Sequence, residues 1–292
     1  MDVILIAIQA LHVAATMLLA GGLMFGFYAR GAILPSEALP PSLLRGGALV
    51  ALLSGLAWLA LEGGEMGSGW TDTISPGTIG AVLTETAFGR VWLWRMVLSF
   101  AIVATSWLPP RTGRDRVLCV MAVLSLGSVA LIGHSVMRTG MHRLAQIANQ
   151  TCHLVAGGIW LGGLPALGLA LLRLKHESEA DGVLRRFSMV GLIAVSVLVL
   201  TGMVNSALQL GSVSGIQTPY GRVLMVKLCL VLVMLGLAAL NRLILLPRVS
   251  SMNGSAGALG AIRTAILAEI ILGVSVIAIA SVMGSQQPPF VH

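Results

Sequence analysis

Eight long apolar runs leave this chain few folds to choose from. They fall at 3–29, 44–62, 89–108, 116–134, 143–172, 186–209, 220–246 and 262–284. A bilayer crossing takes about 20 such residues as a helix, and each run supplies roughly that number. Only 10% of the 292 residues are charged, against about 25% in soluble domains. Mean hydropathy is +0.93. The expected fold is all-α, a polytopic membrane protein with eight transmembrane helices embedded in membrane lipid. The net charge of +7 then belongs to loops, not to a nucleic-acid surface.

The start of the chain, "MDVILIAIQALHV", has no basic n-region and no small-residue cleavage site, so it reads as a retained first span. Cys119, Cys152 and Cys229 all lie in apolar runs without a CxxC spacing, and they read as packing residues. Between spans two and three, Pro76 is placed to open a short helix through "TIGAVLTETAF".

Charge sets the orientation, because Lys and Arg collect in cytoplasmic loops. Twelve of the eighteen cations fall on one side: Arg30, Arg45, Arg111, Arg114, Arg116, Arg173, Lys175, Arg185, Arg186, Arg242, Arg248 and Arg263. The other side has Arg90, Arg95, Arg138, Arg143, Arg222 and Lys227. Both termini are therefore expected outside, which in a bacterium is the periplasm.

The two halves of the chain resemble each other. "HVAATMLLAGGL" from His12 matches "HLVAGGIWLGGL" from His153, with histidine and Gly-Gly-Leu at equal spacing. "TAFGRVWLWR" from Thr86 matches "TPYGRVLMVK" from Thr218, and "HSVM" at the end of span four matches "ASVM" at the end of span eight. An even number of spans per unit makes the halves parallel. The expectation is a tandem repeat of two four-helix units, 1–140 and 141–292.

Ionisable residues inside spans are costly and are functional candidates by default. His12 and His153 sit at the same depth in matched helices. A single such histidine is ordinarily a packing residue bonded to a carbonyl; the matched pair favours function. The segment "GHSVMRTGMH", from Gly133 to His142, adds His134, Met137, Met141 and His142 at the outer surface. Imidazole suits copper, and thioether sulfur selects Cu(I) over harder ions. The candidate metal ligands are thus His153, His134, His12, Met137, Met141 and His142. Arg95 and Lys227, a turn and a half into their spans, are expected to meet a carboxylate such as Glu62 or Glu65, or a bound anion. The sequence offers no catalytic residues, no Walker A motif and no cysteine pair within a span.

An alternative from another class uses the same histidines. His12, His134 and His153 are also axial candidates for haem b, with Arg95 or Lys227 on the propionates. The protein would then pass electrons in copper or quinone redox chemistry.

"GH" closing span four, "HLVAGGIWLGGLPAL", "RFSMVGLIAVSVLVLTGMVNSAL" and "TPYGRVLMVKLCLVLVMLGLAALNRLILLPR" together resemble the copper resistance protein D family (CopD, PcoD). The resemblance is close over residues 130 to 248 and extends to the span layout throughout. It implies copper movement across the bacterial inner membrane into the cytoplasm, alongside a separate periplasmic chaperone of the CopC type. A fusion at His292 tests the orientation. Alkaline phosphatase fused there should be active and a fluorescent protein dark; the reverse pattern would put the C-terminus inside.

Overall fold

The computed structural model describes residues 1–29, 38–133, 139–174, 177–250 and 256–289. His134, Met137 and His292 lie outside the described residues. The described chain is helical, without strands. In order the helices are α1 (Asp2–Tyr28), α2 (Pro41–Met66), α3 (Pro76–Glu85), α4 (Ala87–Ser106) and α5 (Thr112–Gly127). Then follow α6 (Gly140–Gly157), α7 (Gly163–Arg173), α8 (Glu177–Leu210), α9 (Pro219–Leu240), α10 (Leu246–Ser250) and α11 (Ala256–Gly284). Two joints are π-helical: Gly158–Gly162 links α6 to α7, and Asn241–Leu245 links α9 to α10.

Seven of these helical stretches among the described residues are long and apolar enough to cross a membrane. Six match expected spans closely, and α6–α7 forms one continuous rod of 34 residues, Gly140–Arg173. The difference from eight lies in the expected fourth span, 116–134. There α5 has 16 residues and passes into a 3-10 turn at Ser128–Leu131. The switch coincides with a crowded acceptor: the Ser125 carbonyl accepts from Arg95 Nη1 at 2.7 Å and from the Ser128 hydroxyl at 2.7 Å. Those bonds compete with the regular helical donor. α5 keeps one packed face, with Leu118, Ala122, Leu126 and Ala130 all buried, while Val117, Val120 and Leu124 are exposed. The four-residue spacing is that of a helix with one side on protein, and in lipid the outward apolar side needs no cover.

Helix ends follow from sequence. Thr86 caps α4 by accepting from Gly89 N at 2.9 Å, and Thr218 caps α9 by accepting from Gly221 N at 3.1 Å. Side-chain oxygens at N-caps satisfy otherwise orphaned amides. In both places a Cβ on the glycine would run into backbone, of Val82 and Leu83 for Gly89 and of Gly215 and Ile216 for Gly221. Pro76 does open α3, with Ser75 as its cap.

The contact that organises the molecule is the crossing of α1 with the α6–α7 rod. A Cβ on Gly21 would strike the Gly158 carbonyl and Gly162 backbone; a Cβ on Gly162 would strike the Met17 carbonyl and Gly21 Cα. Gly21 stands nine residues after His12, and Gly162 nine after His153. Each glycine meets the residue four positions before the other, so the contact is reciprocal. Small residues spaced by four let membrane helices approach backbone to backbone. The helices run parallel: Gly157 faces the Met17 methyl, and farther along both chains Gly163 faces the Tyr28 hydroxyl. Around this crossing α1 packs on α2 and α5 to one side and on α7 and α11 to the other. Apolar packing follows, with Leu19, Leu44 and Leu118 in one cluster and Phe25, Leu164 and Leu171 in another.

Overpacking ordinarily costs about 1–3 kcal/mol, and here the obstacle is backbone that cannot turn aside. Gly162→Val should therefore lower the melting temperature in detergent by several degrees or abolish folding. Gly236→Ala, where a Cβ meets nothing within 4 Å, should leave it unchanged.

Candidate functional site

His12 is fully buried in α1. Its Nδ1 lies 3.0 Å from the Ala51 carbonyl and 3.1 Å from Ser54 Oγ, and its Nε2 lies 2.8 Å from Arg95 Nη2. A guanidinium only donates, so Nε2 is the acceptor and Nδ1 carries the proton. The ring sits against Trp58 and Trp92, each with its centroid 5.7 Å away. Gly55 makes room for it, since a Cβ there would stand 3.2 Å from His12 Cε1.

Arg95 is also buried. Nη1 donates to the Ser125 carbonyl and Ser128 Oγ, and the guanidinium carbon lies 5.0 Å from the Trp92 ring centroid. Nε has no partner. The expected carboxylate contact is thus replaced by an imidazole, a carbonyl, a hydroxyl and an aromatic face. Glu62 is instead engaged by Trp58 Nε1, one turn back along its own helix, at 3.2 Å, and Glu65 is exposed. Neither Arg95 nor Lys227 forms an ion pair among the described residues.

The second half builds the same seat with different contents. His153 Nδ1 lies 2.9 Å from Thr201 Oγ1, whose own proton goes to the Val197 carbonyl at 2.6 Å. Nδ1 is therefore the donor, and Nε2 carries a lone pair. Gly202 makes room for this ring, its Cβ position lying 3.5 Å from His153 Cε1. Ser54-Gly55 and Thr201-Gly202 hold their histidines in the same way. Lys227 stands where Arg95 stands in the repeat pattern. Yet no hydrogen bond from Lys227 to His153 Nε2 exists among the described residues. The first-half imidazole is closed at both nitrogens; the second-half imidazole, among the described residues, is open at Nε2.

Packing around the two rings also differs. Trp58 follows Ser54 by four residues and fills the space beside His12; Asn205 follows Thr201 by four. Asn205 accepts from Asn149 Nδ2 at 2.9 Å and donates to Gln150 Oε1 at 2.8 Å, and Asn149 also donates to the Thr201 carbonyl at 3.1 Å. A patch of neutral amides thus lies on the N-terminal side of His153 along α6.

Met141 and His142 are not gathered with His153: both are exposed at the start of α6, 12 and 11 residues from His153 and so about 17 Å along the helix. His134 and Met137 lie outside the described residues. No group of three or more His, Cys, Asp or Glu able to hold a metal occurs among the described residues. Sequence reasoning missed Thr201, whose signal was the pairing of "LSG" with "LTG". It also missed Glu269, the sole acidic residue of α11, which an intramembrane charge rule flags on its own. Glu269 is buried and accepts from Asn241 Nδ2 at 2.7 Å.

The fold and site define a polytopic helical membrane protein with two hydroxyl-anchored histidines inside its spans. Residues 1–145 match the family model described as copper resistance protein D-like, N-terminal domain, and residues 181–283 match copper resistance protein D. The chain is 33% identical to "Inner membrane protein YebZ" of Escherichia coli (strain K12), covering 83% of this chain and 84% of the relative. It is 31% identical to "Copper resistance protein D" of Pseudomonas syringae pv. tomato, covering 98% and 97%. Against "Copper transport protein CutJ" of Bacillus subtilis (strain 168) it is 30% identical over 76% of this chain, spanning 41% of that longer protein. The chain belongs to the copper resistance protein D family. No solved structure matches it.

Removing the guanidinium would leave His12 Nε2 without its donor, at about 1–3 kcal/mol for a buried acceptor. Arg95→Met should thus destabilise the first half, measured as a lower melting temperature, while Arg90→Met changes it little.

Proposed function

We propose that this protein moves copper from the periplasm to the cytoplasm across the bacterial inner membrane, with His153 as the core ligand. The observation that carries this reading is the open Nε2 of His153, presented by the bond from Nδ1 to Thr201. A metal-binding histidine characteristically anchors its other nitrogen in this way, which sets both tautomer and ring orientation. The names of two relatives, one for copper resistance and one for copper transport, supply the metal. The amide patch of Asn149, Gln150 and Asn205 offers a polar approach to the ring from the side of α6 that starts at Met141 and His142.

In this reading His134, Met137, Met141 and His142 form the outer capture point, and their soft sulfur favours Cu(I). His12 joins only if Arg95 releases Nε2. The haem b alternative draws on that same nitrogen and so has less support than copper. Both termini are periplasmic, the units 1–140 and 141–292 act as closed and open versions of one design, and a separate CopC-type chaperone delivers the ion. Lys227 beside His153 opposes a resting cation and would speed its release.

Copper accumulation in cells and Cu(I) retention in detergent test the site, with expression levels matched. His153→Ala should reduce both by an order of magnitude or more, and Thr201→Val by about 10–100-fold in affinity through loss of the anchoring bond. Unchanged copper handling in a well-expressed His153→Ala protein would sink the proposal.

A further inference from the structure

A second site lies deeper in the second half. A cavity of about 370 Å³ opens between α7, α8, α9 and α11, and its walls include Trp160, Phe187, Asn241, Arg242 and Glu269. Two further lining residues, Leu192 and Leu243, are 51% and 71% exposed on the apolar outer surface, so the cavity borders the lipid-facing side. At its polar end Asn241, which donates to the Glu269 carboxyl, and Trp160, which lines the same cavity, both come from π-helical joints, Asn241–Leu245 and Gly158–Gly162. Such turns are frequent at functional sites. Because Asn241 Nδ2 serves the carboxyl, its Oδ1 must face the other way, and that oxygen is buried with no partner among the described residues.

Largely apolar walls with a few convergent polar groups are the general make-up of a small-molecule site, and the polar end specifies the ligand. A bare buried acceptor asks for a donor. A cationic head is disfavoured by burial in an apolar cavity and by Arg242 on the same wall, whose guanidinium is held by the Ser188 carbonyl at 2.8 Å and hydroxyl at 2.7 Å. Trp160 and Phe187 offer aromatic surfaces to a planar ring. We propose that this cavity binds a lipid-soluble hydroquinone, with one hydroxyl donating to Asn241 Oδ1 and the apolar tail leaving toward the bilayer between Leu192 and Leu243. The oxidised quinone offers only acceptors and leaves Asn241 Oδ1 bare, so the site prefers the reduced form. This inference is independent of the copper site.

The test uses the full chain in lipid nanodiscs, titrated with decyl-chain ubiquinone held either oxidised or reduced and read by tryptophan fluorescence. Trp160→Phe identifies the part of the signal that comes from the cavity. The reduced form should bind about tenfold or more tightly than the oxidised form, as expected for one buried hydrogen bond. Asn241→Leu should remove that preference, and Leu192→Trp should weaken both forms by narrowing the entry. Equal affinity for the two forms in the unmodified protein overturns the proposal without recourse to any variant. So does equal displacement of the reduced probe by a plain alkane of the same length, which would mean that the cavity holds a lipid acyl chain.

Discussion

Everything in this molecule hangs on the reciprocal glycine contact between α1 and the α6–α7 rod. Helices in lipid gain little from apolar burial against one another, so they associate where backbones can come close. Gly21 on Gly158 and Gly162, and Gly162 on Met17 and Gly21, supply that approach. The same contact sets the register of the two histidines, each nine residues before its glycine. It also passes through the π-helical joint, so the turn that carries Trp160 toward Glu269 is held in place by α1.

From that crossing the two halves diverge in chemistry while keeping one plan. In each, a hydroxyl-glycine pair on the next spanning helix receives the imidazole, and a cation on the following one stands beside it. A guanidinium reaches His12 and closes it; an ammonium reaches no nitrogen of His153. Arg carries a planar fork of five donors, whereas Lys presents a compact charge. Arg95 uses that fork to tie together α1, α4 and the end of α5, and the surrounding Trp58 and Trp92 exclude other partners. Its role is architectural. The second half, with amides in place of tryptophan, keeps a lone pair available.

How much of this was legible in the sequence varies with the kind of interaction. Apolar length and its interruptions located the helices, because each crossing must satisfy its own backbone. The fourth run was the weak point: the switch at residues 128–131 coincides with a bond from Arg95, which lies 30 positions away from Ser125. His12 and His153 were visible as matched intramembrane groups. The partner of Arg95 was not, since nothing in local spacing distinguishes a carboxylate one helix away from an imidazole on another. Glu269 could have been read from its isolation in an apolar run, but its donor Asn241 could not, because it emerges from a joint that departs from regular helix.

The sequence by itself thus determined the class, the helices, the paired glycines and histidines, and the family resemblance, all of which rest on local composition or on spacing along the chain. Tertiary structure decided which nitrogens are free. A histidine matched in spacing to its Gly-Gly-Leu is closed in one half and open in the other, and the difference lies in contacts between residues 48 and 83 positions apart. Chemistry at an imidazole depends on what occupies its lone pair, and that is set only when the helices come together.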